Sequence, residues 1–127
     1  MANLANSLKS IRQIPGNIGS ALVDVETGMS LAQIGGKSLD LDSEINYCAQ
    51  LMRAKAQVIR AMNLGDSVEE IVITSQSEYR ILCPVQVRIL KVKEPENLFF
   101  FVALKKSQTP LAPALSRIKQ VVSEFAL

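Results

Sequence analysis

The 127 residues predict an α+β domain in the order helix, two strands, helix, three strands, helix. Three observations carry this reading. Apolar residues recur at helical spacing at both ends of the chain and through a long central stretch. Glycine-punctuated alternating segments lie between these helices. One segment, Leu98 to Leu104, is apolar on both faces and so requires cover on both sides, as a central strand does.

The first helix is expected over Asn3–Gln13, with Leu4, Leu8 and Ile11 on one stripe, and Pro15-Gly16 stops it. Ile18–Val25 and Met29–Ile34 read as a hairpin, with Gly28 able to take the positive φ of a tight turn. The longest helix runs from Leu41-Asp42-Ser43 to about Leu64, with Gly65 as its C-terminal cap. Three strands follow: Val68–Ser75 at the sheet edge, Glu78 to about Leu90, and Leu98–Lys105 after a charged loop at Lys91–Asn97. In the second of these, Tyr79, Ile81, Cys83, Val85, Val87 and Ile89 share a face. Thr109-Pro110 opens the last helix, whose stripe is Leu111, Leu115, Ile118, Val122 and Phe125. With 48% hydrophobic and 20% charged residues, the chain has enough apolar material for one core, so residues 1–127 are read as a single domain.

Composition narrows the chemistry. A net charge of +2 with scattered basic residues argues against nucleic-acid binding, which concentrates positive charge on one face. Met1–Ile14 lacks the continuous apolar core of a secretory signal, so a cytoplasmic protein with reduced Cys48 and Cys83 is expected. There is no histidine, which removes the commonest general base and the usual triad relay. Gly36-Lys37-Ser38 resembles the end of a phosphate loop, but the earlier glycine position is Leu31 and no helix begins at the lysine. Asp40, Asp42 and Glu44 lack the calcium-loop pattern and suit a helix start on dipole grounds. Glu69 and Glu70, adjacent on a strand, should point to opposite faces and protect an edge. No catalytic residue, cofactor site or metal site is assigned, and the protein is expected not to be an enzyme.

The long helix is the informative element. Asn46, Gln50, Arg53, Gln57 and Arg60 form a narrow polar stripe. Ile45, Cys48, Met52, Ala56 and Ile59 lie on one side of it, and Tyr47, Leu51, Ala54, Val58 and Ala61 on another. The apolar arc covers about 240°, more than one sheet contact requires. The second face is therefore expected to pack on another chain. A dimer interface is expected at Tyr47, Leu51, Ala54, Val58 and Ala61, with Val72 on the edge strand, and a partner-binding surface at Arg53, Gln57 and Arg60. Its charges make membrane insertion of this helix unfavourable.

The sequence resembles the roadblock/dynein-light-chain domains. Ile18-Gly19-Ser20-Ala21-Leu22-Val23-Asp24-Val25 with Glu26 to Ala32 is similar to their first hairpin. Tyr79-Arg80-Ile81-Leu82-Cys83-Pro84-Val85 is similar to their fourth strand. Leu98–Leu104 followed by Pro110–Phe125 is similar to their last strand and helix. The resemblance covers nearly the whole chain, and Gln86–Asn97 departs from it by being longer than the usual turn. It implies a profilin-like fold: a five-stranded antiparallel sheet with the long helix on one face and the two terminal helices on the other. It also implies a homodimer, with long helices packed together and third strands paired, and a cytoplasmic adaptor or scaffold that regulates a small Ras-like GTPase. A ligand-sensing module of profilin-like fold and a structural subunit of a larger assembly are the alternatives.

Overall fold

A computed structural model describes residues 3–85 and 98–125. The elements are α1 (Leu4–Arg12), β1 (Asn17–Asp24), β2 (Ser30–Gly35), α2 (Leu41–Ala61), β3 (Ile71–Thr74), β4 (Glu78–Pro84), β5 (Leu98–Lys105) and α3 (Leu111–Glu124), with a short 3-10 turn at Lys106–Gln108. The predicted continuation of the fourth strand beyond Val85, and the charged loop after it, lie outside the described residues.

Five strands form one sheet in the order β2-β1-β5-β4-β3. Each neighbouring pair is antiparallel. β5 is central, as its two-sided apolarity requires: Leu98 to Leu104 are all buried. Its alternate residues feed two separate cores. Leu98, Phe100, Val102 and Leu104 meet α1 and α3 through Leu8, Ile11, Ile14, Ala114, Ile118, Val121, Val122 and Phe125. Phe99, Phe101 and Ala103 meet α2 through Ile45, Cys48, Ala49 and Met52. Phe100 and Phe125 pack edge to face, with ring centroids 5.3 Å apart.

Element ends depart from expectation in places. Asp40 rather than Asp42 or Ser43 is the N-cap of α2, its side chain accepting from the Ser43 amide. The first left-handed residue after α2 is Asn63, at φ 51, so the helix is closed before Gly65, itself at φ 62, is reached. Asn can fill this position because its short polar side chain tolerates that backbone region. β3 is only four residues, beginning at Ile71 instead of Val68. Thr109 does not cap α3 with its side chain. Its hydroxyl instead faces the carbonyls of Pro15 and Lys105, both at 2.8 Å, and ties the turn after α1 to the end of β5.

Gly16 sits in that junction at φ +83, where an added Cβ would lie 2.1 Å from the Thr109 Oγ1. A Gly16→Ala substitution should therefore cost more than about 1 kcal/mol. Urea unfolding of the two proteins checks this, and equal midpoints would refute it.

Candidate protein-binding site

α2 lies across one face of the sheet, and 21 residues at 1.5 Å each make it about 32 Å long. Its buried residues are Leu41, Ile45, Cys48, Ala49 and Met52, all in the first twelve positions. Beyond Met52 only Arg53, Ala56 and Ile59 are half-buried and the rest are exposed. The helix thus leaves the sheet halfway along.

The second apolar face is open to solvent. Tyr47 is 70% exposed, Leu51 40% and Val58 43%, and Ala54 and Ala61 are exposed beside them. Met62 and Leu64, after the end of α2, and Ile73, on the edge strand, are exposed as well. Ile71 and Ile73 share the α2 face, since Ile71 pairs with Leu82, which packs against α2. Val72 alternates to the other face and packs against the α1/α3 core. Val72, the side chain expected at an interface from that strand, thus faces the α1/α3 core, and it is Ile71 and Ile73 that share the α2 side. The register of β3 against β4, with Leu82 facing α2, is the signal that could have found them. β3 is an edge strand, as predicted, so its outer backbone groups have no ladder partner among the described residues.

Of the polar stripe, Asn46, Gln50, Gln57 and Arg60 are not buried, and the last three carry no side-chain hydrogen bond among the described residues. Arg53 differs. Its Nη1 donates to the carbonyl of Val25 and, at 3.3 Å, to that of Glu26. It clamps the end of the β1–β2 hairpin onto α2, and Gly28 at φ +71 lies against Asn46 in the same contact. Arg53 holds the fold as well as facing outward, so a charge reversal there would not test binding alone.

Several other charges have partners that local sequence does not reveal. Arg80 pairs with Glu44 at 2.6 Å and Glu78 at 3.1 Å, joining α2 to β4. Burial works to lower the Arg80 pKa, but the hydrogen bonds and attraction of the two carboxylates outweigh it and hold the guanidinium above its usual value. Asp42 accepts from Gln33 at 2.6 Å. The acidic trio at the helix start is thus divided among three separate tasks. Glu69 and Glu70 do not diverge as strand neighbours would. They precede β3, and both carboxylates reach the Lys119 Nζ, at 2.7 and 3.2 Å. Among the described residues no cluster of three or more metal-ligating side chains occurs. No helix there is long and apolar enough to cross a membrane.

Leu51, Lys55 and Ile59 form one wall of an open groove of about 410 Å³. The segment from Leu64 to Ile71 forms the other.

This arrangement is the roadblock fold, with the order of elements and the sheet topology that the resemblance implied. A roadblock/LC7 domain from Streptomyces avermitilis superposes with a TM-score of 0.74 at 11% identity, over 95% of this chain and 92% of that one. The gliding protein MglB from Thermus thermophilus matches at TM-score 0.73 and 15% identity, over 94% of this chain and 82% of that one. Myxococcus xanthus MglB matches at TM-score 0.65 and 14% identity, over 92% and 83% of the two chains. No protein-family model and no curated protein sequence matches this chain.

Cys48 and Cys83 lie in cores on opposite faces of the sheet and are free thiols. Burial, with lesser contributions from nearby carboxylates, pushes both up to about 11 from 9.0. Only the thiolate is nucleophilic, so native protein at pH 8 should resist iodoacetamide while urea-unfolded protein reacts at both sites. Between about 9 and 11 the folded state holds protons that the unfolded state has lost, so this contribution to stability falls as pH rises through that window. Rapid native alkylation at either thiol would contradict the burial.

Proposed function

We propose that the protein is a non-enzymatic homodimer, acting in the cytoplasm as an adaptor or regulator of a small Ras-like GTPase. The observation that carries this is the exposed apolar stripe of Tyr47, Leu51, Ala54 and Val58 on α2, with Ile73 exposed on the same side of the edge strand β3. Contiguous apolar surface of this kind marks an interaction site, whereas singly exposed residues need no explanation. A two-fold axis beside β3 would pair the edge with itself and bring two copies of α2 together, an isologous interface. Removing about 600 Å² of apolar surface from water would contribute about 15 kcal/mol before association and ordering costs. One solved MglB structure of this fold is described as having a tetrameric arrangement, at TM-score 0.73 and 15% identity, which supports self-association.

The roadblock resemblance supports GTPase regulation. No catalytic residue is required of this chain, because a regulator can accelerate hydrolysis by repositioning the GTPase's own groups. Gln57 and Arg60 are the freely exposed members of the stripe proposed for partner binding, with Arg53 contributing its charge from its place on the hairpin.

The unmodified protein should sediment as a dimer at micromolar concentration. Ala54→Glu, which puts a charge in the seam, should shift it to a folded monomer whose thermal midpoint no longer depends on protein concentration. Gln50→Glu on the polar stripe should leave the dimer intact. Sedimentation of the unmodified protein as a monomer would overturn the dimer. A pull-down from native cytoplasm should retain a Ras-like GTPase, less well with Gln57→Glu/Arg60→Glu. Its absence from the retained proteins would overturn the GTPase assignment.

A further inference from the structure

The sheet has a second edge, β2, at the opposite end of the strand order from β3. Proteins often blunt such an edge with charge or proline. β2 has neither: from Thr27 to Gly36 the chain carries no charged residue and no proline. The amide of Gly36 donates to the Ile18 carbonyl, and Gly35 pairs with Gly19. Hydrogen-bonded positions alternate along an antiparallel pair, so Ile34 and Ala32 bond to β1, and the N–H and C=O of Gln33 point away from it.

The side chains divide in the same rhythm. Ala32 and Ile34 pack against the α1/α3 core. Leu31 and Gln33 therefore lie on the α2 side. Leu31 is 48% exposed there, and Met29, just before the strand, is 69% exposed. The Gln33 Nε2 donates to the Asp42 Oδ1 of α2 at 2.6 Å. Asp42 is exposed and forms no ion pair among the described residues. Other charges stand apart from this side of the strand. Glu26 and Lys37 lie beyond its two ends, Asp40 caps α2, and Lys9 and Arg12 belong to α1 on the opposite face.

We propose that β2 accepts an extended segment of a partner protein as a sixth strand. An apolar side chain of that segment rests on Leu31, and a lysine or arginine two positions along faces Asp42. Two features select this occupant. The outward backbone groups of Gln33 are matched by another strand, with side chains on alternate positions giving specificity. The single free carboxylate on an otherwise uncharged edge favours a basic residue opposite it. A second copy of β2 fits less well, because antiparallel pairing about Gln33 would set the two Gln33–Asp42 pairs side by side with like charges. The site rests neither on self-association through β3 nor on the GTPase reading, since it lies at the other edge of the sheet.

The test uses the full chain and two capped peptides of about eight residues that alternate valine and threonine. One carries a central lysine on the valine face and the other a glutamate at the same position. Fluorescence anisotropy should show the lysine peptide binding about tenfold or more tightly, with an affinity that weakens as salt rises. Hydrogen exchange at the Gln33 amide should slow when it binds. Asp42→Asn keeps an acceptor for Gln33 and should bring the two peptides to within about twofold of each other. Leu31→Lys should weaken the lysine peptide about tenfold and should sediment as the unmodified protein does. Equal binding of the two peptides to the unmodified protein, no binding at about 1 mM, or slowed exchange at Ile71–Thr74 instead of Gln33 would each overturn the proposal. So would an assembly of the unmodified protein that Leu31→Lys breaks into smaller species, since that outcome assigns the edge to a second copy.

Discussion

Everything in this fold depends on burying β5 from both sides. Leu98 to Leu104 offers seven consecutive buried residues, and Phe99, Phe100 and Phe101 divide between opposite faces. Each buried phenylalanine contributes about 1.5–3 kcal/mol relative to exposure, so neither face can be left open. The chain answers unequally. Two helices, α1 and α3, cover one face and its flanking strands, while α2 alone covers the other. A single helix is narrower than five strands. The α2 side of the outermost strand therefore stays uncovered, which is where Ile73 is exposed. The exposed apolar surface is a geometric consequence of how the central strand is sheltered.

The same constraint explains how the fold persists in chains that share 11–15% of their residues with this one. Burial asks for apolar character and suitable volume at alternating positions, and many residue combinations provide both. Specific side chains matter where elements are tied across long sequence distances. Arg53 reaches back to Val25, Thr109 to Pro15, and Arg80 to Glu44. Each links elements on which periodicity is silent, and each fixes an element end.

That division also marks what is legible in the sequence. Helix stripes and the central place of β5 follow from local periodicity, as Leu8 and Ile11 in α1 and Ile118, Val122 and Phe125 in α3 illustrate. The open face of α2 is visible as an apolar arc wider than one contact. Less legible are features set by partners distant in sequence. Glu69 and Glu70 read as strand neighbours, yet Lys119 draws both aside, and β3 starts only after them. Val72 belongs to the interface by its place on the edge strand alone, but pairing with Ile81 turns it to the opposite face. Arg53 reads as a free surface cation because nothing nearby in sequence reveals the hairpin carbonyls it clamps.

The two halves of α2 can be separated physically because their burial differs. Up to Met52, the residues that face the sheet are locked in the core, so substitutions there act through folding. Past Met52 the helix is held mainly by Arg53, Ala56 and Ile59, all half-buried. Its outer residues, Val58, Ala61, Met62 and Leu64, contribute little to this chain's own core and are exposed together. A helix segment that is apolar where folding does not require it presents surface to something else. Arg53 anchors the base of that segment to the hairpin through the carbonyls of Val25 and Glu26. The residues that stabilise this chain and those left open to solvent thus share one helix, and they divide at the position where it leaves the sheet.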